Sequence, residues 1–266
     1  MLAHATGFHG RCWVPVADEL LDHFAVWALD QRGHGSSGRP ADGQFAWELL
    51  AVDLLDVIDA IGGGRWCAGG HSLGGGVALL AEARRPGTFS SICCYEPVVV
   101  PPHAQQVPSS ADDGSARRSP VSLATLARKR RAVFASRAAA IENYRSKPPF
   151  SEFDPTVLDL YVQYGFVDNS DGSVSLACKP DDEAAVFDMA PVSPTWDLLG
   201  AVEAAVTVFA GRKGDDPVGS WAESISSRIP HGRFEPFDSL DHFGPMTSPG
   251  EVGQAFARSL LAHGLT

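Results

Sequence analysis

The chain lacks any run of about eighteen apolar residues, so no segment reads as a membrane-spanning helix. It shows no basic stretch leading into an apolar core near its start, which argues against a secretory leader. Cysteine and histidine are scattered, without the CxxC or HxxxH spacings of a metal centre, and lone histidines are read as structural. The five cysteines form no framework: Cys93 and Cys94 are neighbours, while Cys12, Cys67 and Cys178 stand apart. An odd, dispersed set points to reduced thiols in a reducing compartment. Positive charge is scarce too, with 21 Lys and Arg against 32 Asp and Glu and a net charge of −11. A nucleic-acid partner wants a basic face, so none is expected. These absences leave a cytoplasmic protein with no membrane partner and no cofactor, acting on a small molecule.

What is present is a chain of 266 residues, 44% hydrophobic and 20% charged, which suits one large domain with an insertion. Apolar runs alternate with helical patterns, the signature of a mostly parallel sheet with helices on both faces. "MLAHA", "AVWALD", "RWCAGG" and "SSICCYEPVVV" read as strands. "WVPVADELLDHF", "FAWELLAVDLLDVIDAIG" and "LGGGVALLAEARR" read as the helices between them. The rhythm breaks after residue 100. A Pro/Ser/Asp-rich stretch leads to a basic, Ala-rich helix, "SLATLARKRRAVFASRAAAIENYRS", and to further helices in "KPPFSEFDPTVLDLYVQYGF" and "DEAAVFDMA", with a turn at "NSDGS". The alternation returns with "AAVTVFAG", "SWAESISSRIP", "GRFEPF" and a last helix from Glu251. Residues 1–100 and 196–266 therefore read as an α/β core, and 101–195 as a helical cap over the strands' C-terminal edge, where open α/β sheets bind ligands. The run "RKRR" at 128–131 reads as a solvated helix face; attraction of an anionic substrate is the alternative.

One stretch runs against local propensity. In "WCAGGHSLGGGVALL" a serine stands between glycines where a strand turns into a helix. Gly70-His71-Ser72-Leu73-Gly74 fits G-x-S-x-G in strand–turn–helix context. A turn this sharp forces strained angles on Ser72, and side chains at the flanking positions would collide. The turn exposes the Ser72 hydroxyl at the sheet edge, and the helix N-terminus behind it favours a developing oxyanion.

With this elbow, three further pieces resemble the α/β-hydrolase fold superfamily in its serine-nucleophile, esterase or lactonase form. "HATGFHGRCW" resembles its H-G-x oxyanion loop, "DQRGHGSSGRP" its D-x-R-G-x-G-x-S turn, and "SLDHFGPM" its terminal histidine loop. The resemblance implies a Ser72 nucleophile, a His242 base, and an oxyanion hole from the amides of Leu73 and Thr6. Ala5 replaces the usual glycine, so Gly7 or Phe8 are alternative donors. His71 is read as packing. The triad acid stays open. The family's common position falls near Asp215, with Asp216 beside it, while Glu96 holds the strand end used by some dehalogenases and zearalenone-type lactonases. A carboxylate closing an apolar run needs a partner, or else bonds to local backbone amides. The family carries two strands ahead of its H-G loop, and here the chain opens almost at that loop. An upstream start and a sheet shortened at one edge both fit; an exposed edge would favour a homodimer.

A serine at the elbow sets aside the aspartate-dependent dehalogenases and epoxide hydrolases of this fold. The resemblance implies hydrolysis of an ester, lactone or related acyl bond. A lyase or cofactor-free oxygenase using the same triad, and a ligand-binding receptor with vestigial activity, are the rivals. Phe150, Phe153, Tyr161, Tyr164, Phe166 and Phe187 suggest an apolar pocket wall, or the cap's own core.

Overall fold

The computed structural model describes residues 1–105, 122–212 and 217–264. Six strands form one sheet: β1 (Leu2–Ala3), β2 (Ala28–Leu29), β3 (Trp66–His71), β4 (Phe89–Tyr95), β5 (Ala205–Gly211) and β6 (Gly232–Phe237). Their spatial order is β2-β1-β3-β4-β5-β6, and every pair is parallel. All the C-terminal strand ends therefore share one edge. The register there aligns Ala3 with Gly70, His71 with Tyr95, and Tyr95 with Phe209.

Alternation along the central strands feeds two cores. Ile92, Cys94 and Val208 face the layer of α1 (Trp47–Ile61) and α2 (Leu73–Arg84), packing with Leu54, Leu73 and Val77. Cys93, Tyr95 and Phe209 face the opposite way, against Trp13, Val16 and Phe256. In α1 the buried positions 47, 50, 51, 54 and 58 trace one stripe, and the helix stops at Gly62 with φ 68°. Helix α2 is buried along all of Leu73–Glu82, so its alanines and glycines replace the bulk that a central helix has no room for. Its buried Glu82 is satisfied by the amides of Gly87 and Phe89, at 2.8 and 2.9 Å.

Three expectations change. The helix read in "WVPVADELLDHF" shrinks to a 3-10 turn and Val14–Asp18, because the next residues fold into turns. The long basic helix is two helices, Leu123–Arg128 and Arg137–Arg145, capped by Ser122 and Ser136. Between them the β-branched Val133 and aromatic Phe134 join a sheet instead. That sheet, Val133–Phe134, Val174–Leu176 and Phe166–Asp168, is antiparallel, so the insertion is mixed rather than helical. Its hairpin turns at Asn169–Ser173, where "NSDGS" stands. Two further helices there are Pro155–Tyr164 and Pro180–Asp188.

The insertion is tied to the core by dispersed bonds. The Trp47 indole donates to the Val186 carbonyl at 3.1 Å, the Asp154 amide to Met246 at 2.9 Å, and Arg39 pairs with Asp182 at 2.7 Å. His9, in the loop after β1, bonds the Tyr161 carbonyl at 3.1 Å. Among the described residues no helix is long and apolar enough to cross a membrane.

Candidate active site

Ser72 sits between β3 and α2 at φ 54° and ψ −117°, a conformation that costs a non-glycine residue on the order of 1–3 kcal/mol. The surrounding glycines make the turn fit. A Cβ on Gly74 would lie 2.1 Å from the Ala3 carbonyl oxygen, and one on Gly70 would lie 2.5 Å from the Gly75 nitrogen. The turn is held from below: the Ser72 amide donates to Tyr95 at 3.0 Å, and its carbonyl accepts from Gly76 and Val98 at 3.1 and 3.0 Å. The hydroxyl makes no hydrogen bond among the described residues, and the side chain is nearly enclosed.

Glu96 follows β4 directly and takes φ 43°, a second strained residue at the same edge. Its carboxylate does not turn back on the local backbone. Oε2 accepts from His242 Nδ1 at 2.7 Å, and Oε1 accepts from the amide of Gly211, the last residue of β5, at 2.8 Å. Glu96 is 1% exposed, and these two bonds give each of its oxygens a partner away from water. The strain and the bonds belong together, because an ordinary backbone continuation of β4 would aim the side chain elsewhere. Asp215 and Asp216 lie outside the described residues.

The loop after β1 is braced by two histidines whose roles the bonds assign. The Gln31 amide donates to His4 Nε2 at 3.0 Å, so the proton of His4 is on Nδ1 and is given to the Ala5 carbonyl at 2.8 Å. The Gly7 amide donates to His34 Nε2 at 3.1 Å, and His34 Nδ1–H is given to Arg32 at 3.0 Å. Both rings are neutral. Burial pushes His34 down to about 4 and His4 well below its ordinary value, in both cases ahead of the effect of neighbouring groups. The bracing sorts the amides of this loop. Gly7 is taken by His34, and Phe8 bonds the Ala5 carbonyl at 3.1 Å. Among the described residues the Thr6 amide has no acceptor, nor has that of Leu73, the first residue of α2.

The sequence profile of the alpha/beta hydrolase family matches residues 1–255. The chain belongs to the alpha/beta hydrolase family. It is 29% identical over 86 residues to a RutD protein of Agrobacterium fabrum whose name proposes carbamate hydrolysis, covering 32% of this chain and 33% of that one. It is 34% identical over 94 residues to a 2-(acetamidomethylene)succinate hydrolase of Mesorhizobium japonicum, over 34% of each chain. These matches span about a third of the curated relatives' length. The peroxisomal alpha-beta-hydrolase Lpx1 of Saccharomyces cerevisiae has a similar fold, with a TM-score of 0.77 at 17% identity over 99% of this chain and 77% of that one.

In this alpha/beta hydrolase the aromatic residues divide by place. Phe150, Phe153 and Tyr161 pack with Phe8, of the braced loop, and Phe8 and Phe153 in turn meet Phe243, next to His242. Phe166 packs inside the insertion on Phe134 and Tyr144. Phe187 packs with Ala124, Ala127 and Ala184, and Tyr164 is exposed beneath Arg11.

The "RKRR" run divides as well. Arg128 pairs with Asp188 on the surface and Arg131 lies over Phe134. Arg130 turns inward, to Glu183 at 2.5 Å, Tyr161 at 2.6 Å and Tyr144 at 3.2 Å. The pair packs against the braced loop: a Cβ on Gly7 would lie 2.6 Å from Glu183 Oε1 and 3.1 Å from Arg130 Nη1. Neither Arg130 nor His34 stands out in sequence, since a basic run and a lone loop histidine carry no sign of what they will meet in the fold.

Proposed function

We propose that this chain is a serine hydrolase that opens an ester, lactone or related acyl bond through an acyl-enzyme. The observation that carries the reading is the 2.7 Å bond from His242 to Glu96, made at the sheet edge where strained Ser72 stands. A buried carboxylate oxygen that accepts from His242 Nδ1 fixes the tautomer, so the lone pair of the ring is on Nε2. Ser72 Oγ attacks the acyl carbon as His242 Nε2 takes its proton. The oxyanion gathers at the Thr6 and Leu73 amides, where the first turn of α2 adds partial positive charge. His242 then gives the proton to the leaving group, and water repeats the sequence to free Ser72. Apo hydroxyl–imidazole bonds are commonly long and tighten with substrate, so an unbonded Ser72 hydroxyl fits the scheme.

Phe8, Phe150, Phe153 and Phe243 support an apolar, small to medium acyl or alcohol portion beside this centre. The names of the relatives support adding carbamates and an acetamido compound to the esters and lactones to be assayed. The test is treatment with a fluorophosphonate probe followed by intact mass, with Ser72→Ala and His242→Ala as controls. One adduct, lost in both variants, is the expected result; a folded protein that takes up none would overturn the reading.

A further inference from the structure

We propose that His71 and Tyr95 are positioning residues that hold the histidine loop by its backbone, keeping His242 aligned with Glu96 and Ser72. The inference rests on the serine-hydrolase reading. His71 Nε2–H donates to the carbonyl of His242 at 2.8 Å, and the Tyr95 hydroxyl donates to the carbonyl of Asp241 at 2.7 Å. Two consecutive carbonyls are thus pinned by two side chains that are both fully buried.

The arrangement follows from register. His71 and Tyr95 end β3 and β4 and are paired across the two strands. The next residue on each strand is Ser72 and Glu96. Each strand therefore delivers one reacting or charge-holding group and, one position earlier, one anchor for the loop carrying the third. Two bonds inside the loop are local: the Phe243 amide donates to the Asp241 carboxylate at 2.9 Å and the Gly244 amide to the Asp241 carbonyl at 3.0 Å. Those bonds shape the turn without fixing where it sits on the sheet. Tyr95 also limits the loop sterically, since a Cβ on Gly244 would lie 2.2 Å from its hydroxyl.

The choice of a histidine has a chemical reason. A carbonyl acceptor requires the proton on Nε2, which leaves Nδ1 as a bare lone pair. That atom is buried without a partner among the described residues, a tolerable state for a neutral ring and a costly one for a cation. Burial, and then the nearness of His242, hold the ring neutral. The rings of His71 and His242 are 5.0 Å apart. A neutral donor can brace His242 there without opposing the imidazolium that forms during catalysis.

The test uses the full chain with His71→Leu, His71→Gln and Tyr95→Phe. The readouts are the fluorophosphonate labelling rate of Ser72, kcat and KM on p-nitrophenyl acetate, and the low-field NMR signal of the His242 Nδ1–H. Loss of either anchor is expected to slow labelling and kcat by about 10- to 100-fold, the scale of a misplaced reacting group, with KM changing less than about twofold. The Nδ1–H signal should broaden in His71→Leu and Tyr95→Phe, and His71→Gln, which keeps an N–H donor, should recover most of the rate and the signal. Folded variants with the parent's rate and a sharp signal would overturn the clamp while leaving the hydrolase reading intact. A parent that never labels, but whose Nδ1–H signal broadens in the variants, would support the clamp and overturn the hydrolase. If His71→Leu does not fold, Tyr95→Phe, which removes one oxygen, decides alone.

Discussion

His242 Nδ1 and Glu96 Oε2 meet at 2.7 Å although 146 residues separate them, and the second Glu96 oxygen is held by Gly211 at 2.8 Å. Such two-sided support fixes the carboxylate's direction. Glu96→Gln keeps the shape and removes the charge, so kcat should fall by about 10⁴-fold, as in comparable serine triads, with KM little changed. Asp215→Asn should leave kcat within a few-fold. Steady-state kinetics on p-nitrophenyl acetate would check both; the reverse pattern would move the acid to Asp215.

Gly74 is a packing requirement before it is a catalytic one. A Cβ there would be driven to 2.1 Å from the backbone oxygen of Ala3, which has no flexible side chain to yield. Gly74→Ala should therefore push β1 and α2 apart and cost about 1–3 kcal/mol or more. Urea unfolding should show a lower midpoint, and fluorophosphonate labelling of Ser72 should drop with it. An unchanged midpoint would mean that the elbow is far softer than its packing implies.

The parallel sheet, its elbow and the bounds of β6 were legible in sequence because each depends on local pattern: apolar runs, a glycine-framed serine, a strand ended by a turn. Glu96 was legible as an alternative, since a carboxylate ending an apolar run needs a partner, but its partner is set by tertiary structure. The insertion was less legible. Ala-rich composition predicted one long helix through Val133 and Phe134, and pairing with Val174 and Ser175 overrode it. The inward turn of Arg130 was illegible for the same reason, because its partner Glu183 is 53 residues away.

The Arg130–Glu183 pair should show the asymmetry of buried ions. Burial works to lower the Arg130 pKa, but Tyr161 and Glu183 outweigh it and hold the guanidinium charged, well above its ordinary range. Arg130→Met leaves Glu183, whose side chain is 7% exposed, without its partner and should cost about 3–5 kcal/mol. The double variant Arg130→Met, Glu183→Leu should recover much of that loss. A double-mutant cycle by urea unfolding checks it, and additive losses would mean that the two side chains are not coupled.

His34 links stability to acid. Its Nε2 accepts the Gly7 amide only while neutral, and burial lowers its pKa from the ordinary 6.5 to about 4. Between those values the unfolded chain binds the proton and the folded chain does not, so stability rises with pH across the window. The contribution is fully present above about pH 6.5 and is lost as pH falls toward 4, on the order of 3 kcal/mol for a group this deeply buried. His34→Gln offers Gly7 an acceptor that does not titrate, so its unfolding free energy should fall less steeply from pH 6.5 to 4. Some slope should remain, because His4 carries the same constraint through Gln31. Urea titrations at several pH values compare the two slopes; an equal slope in the variant would place the acid sensitivity elsewhere and leave His34 as a spacer.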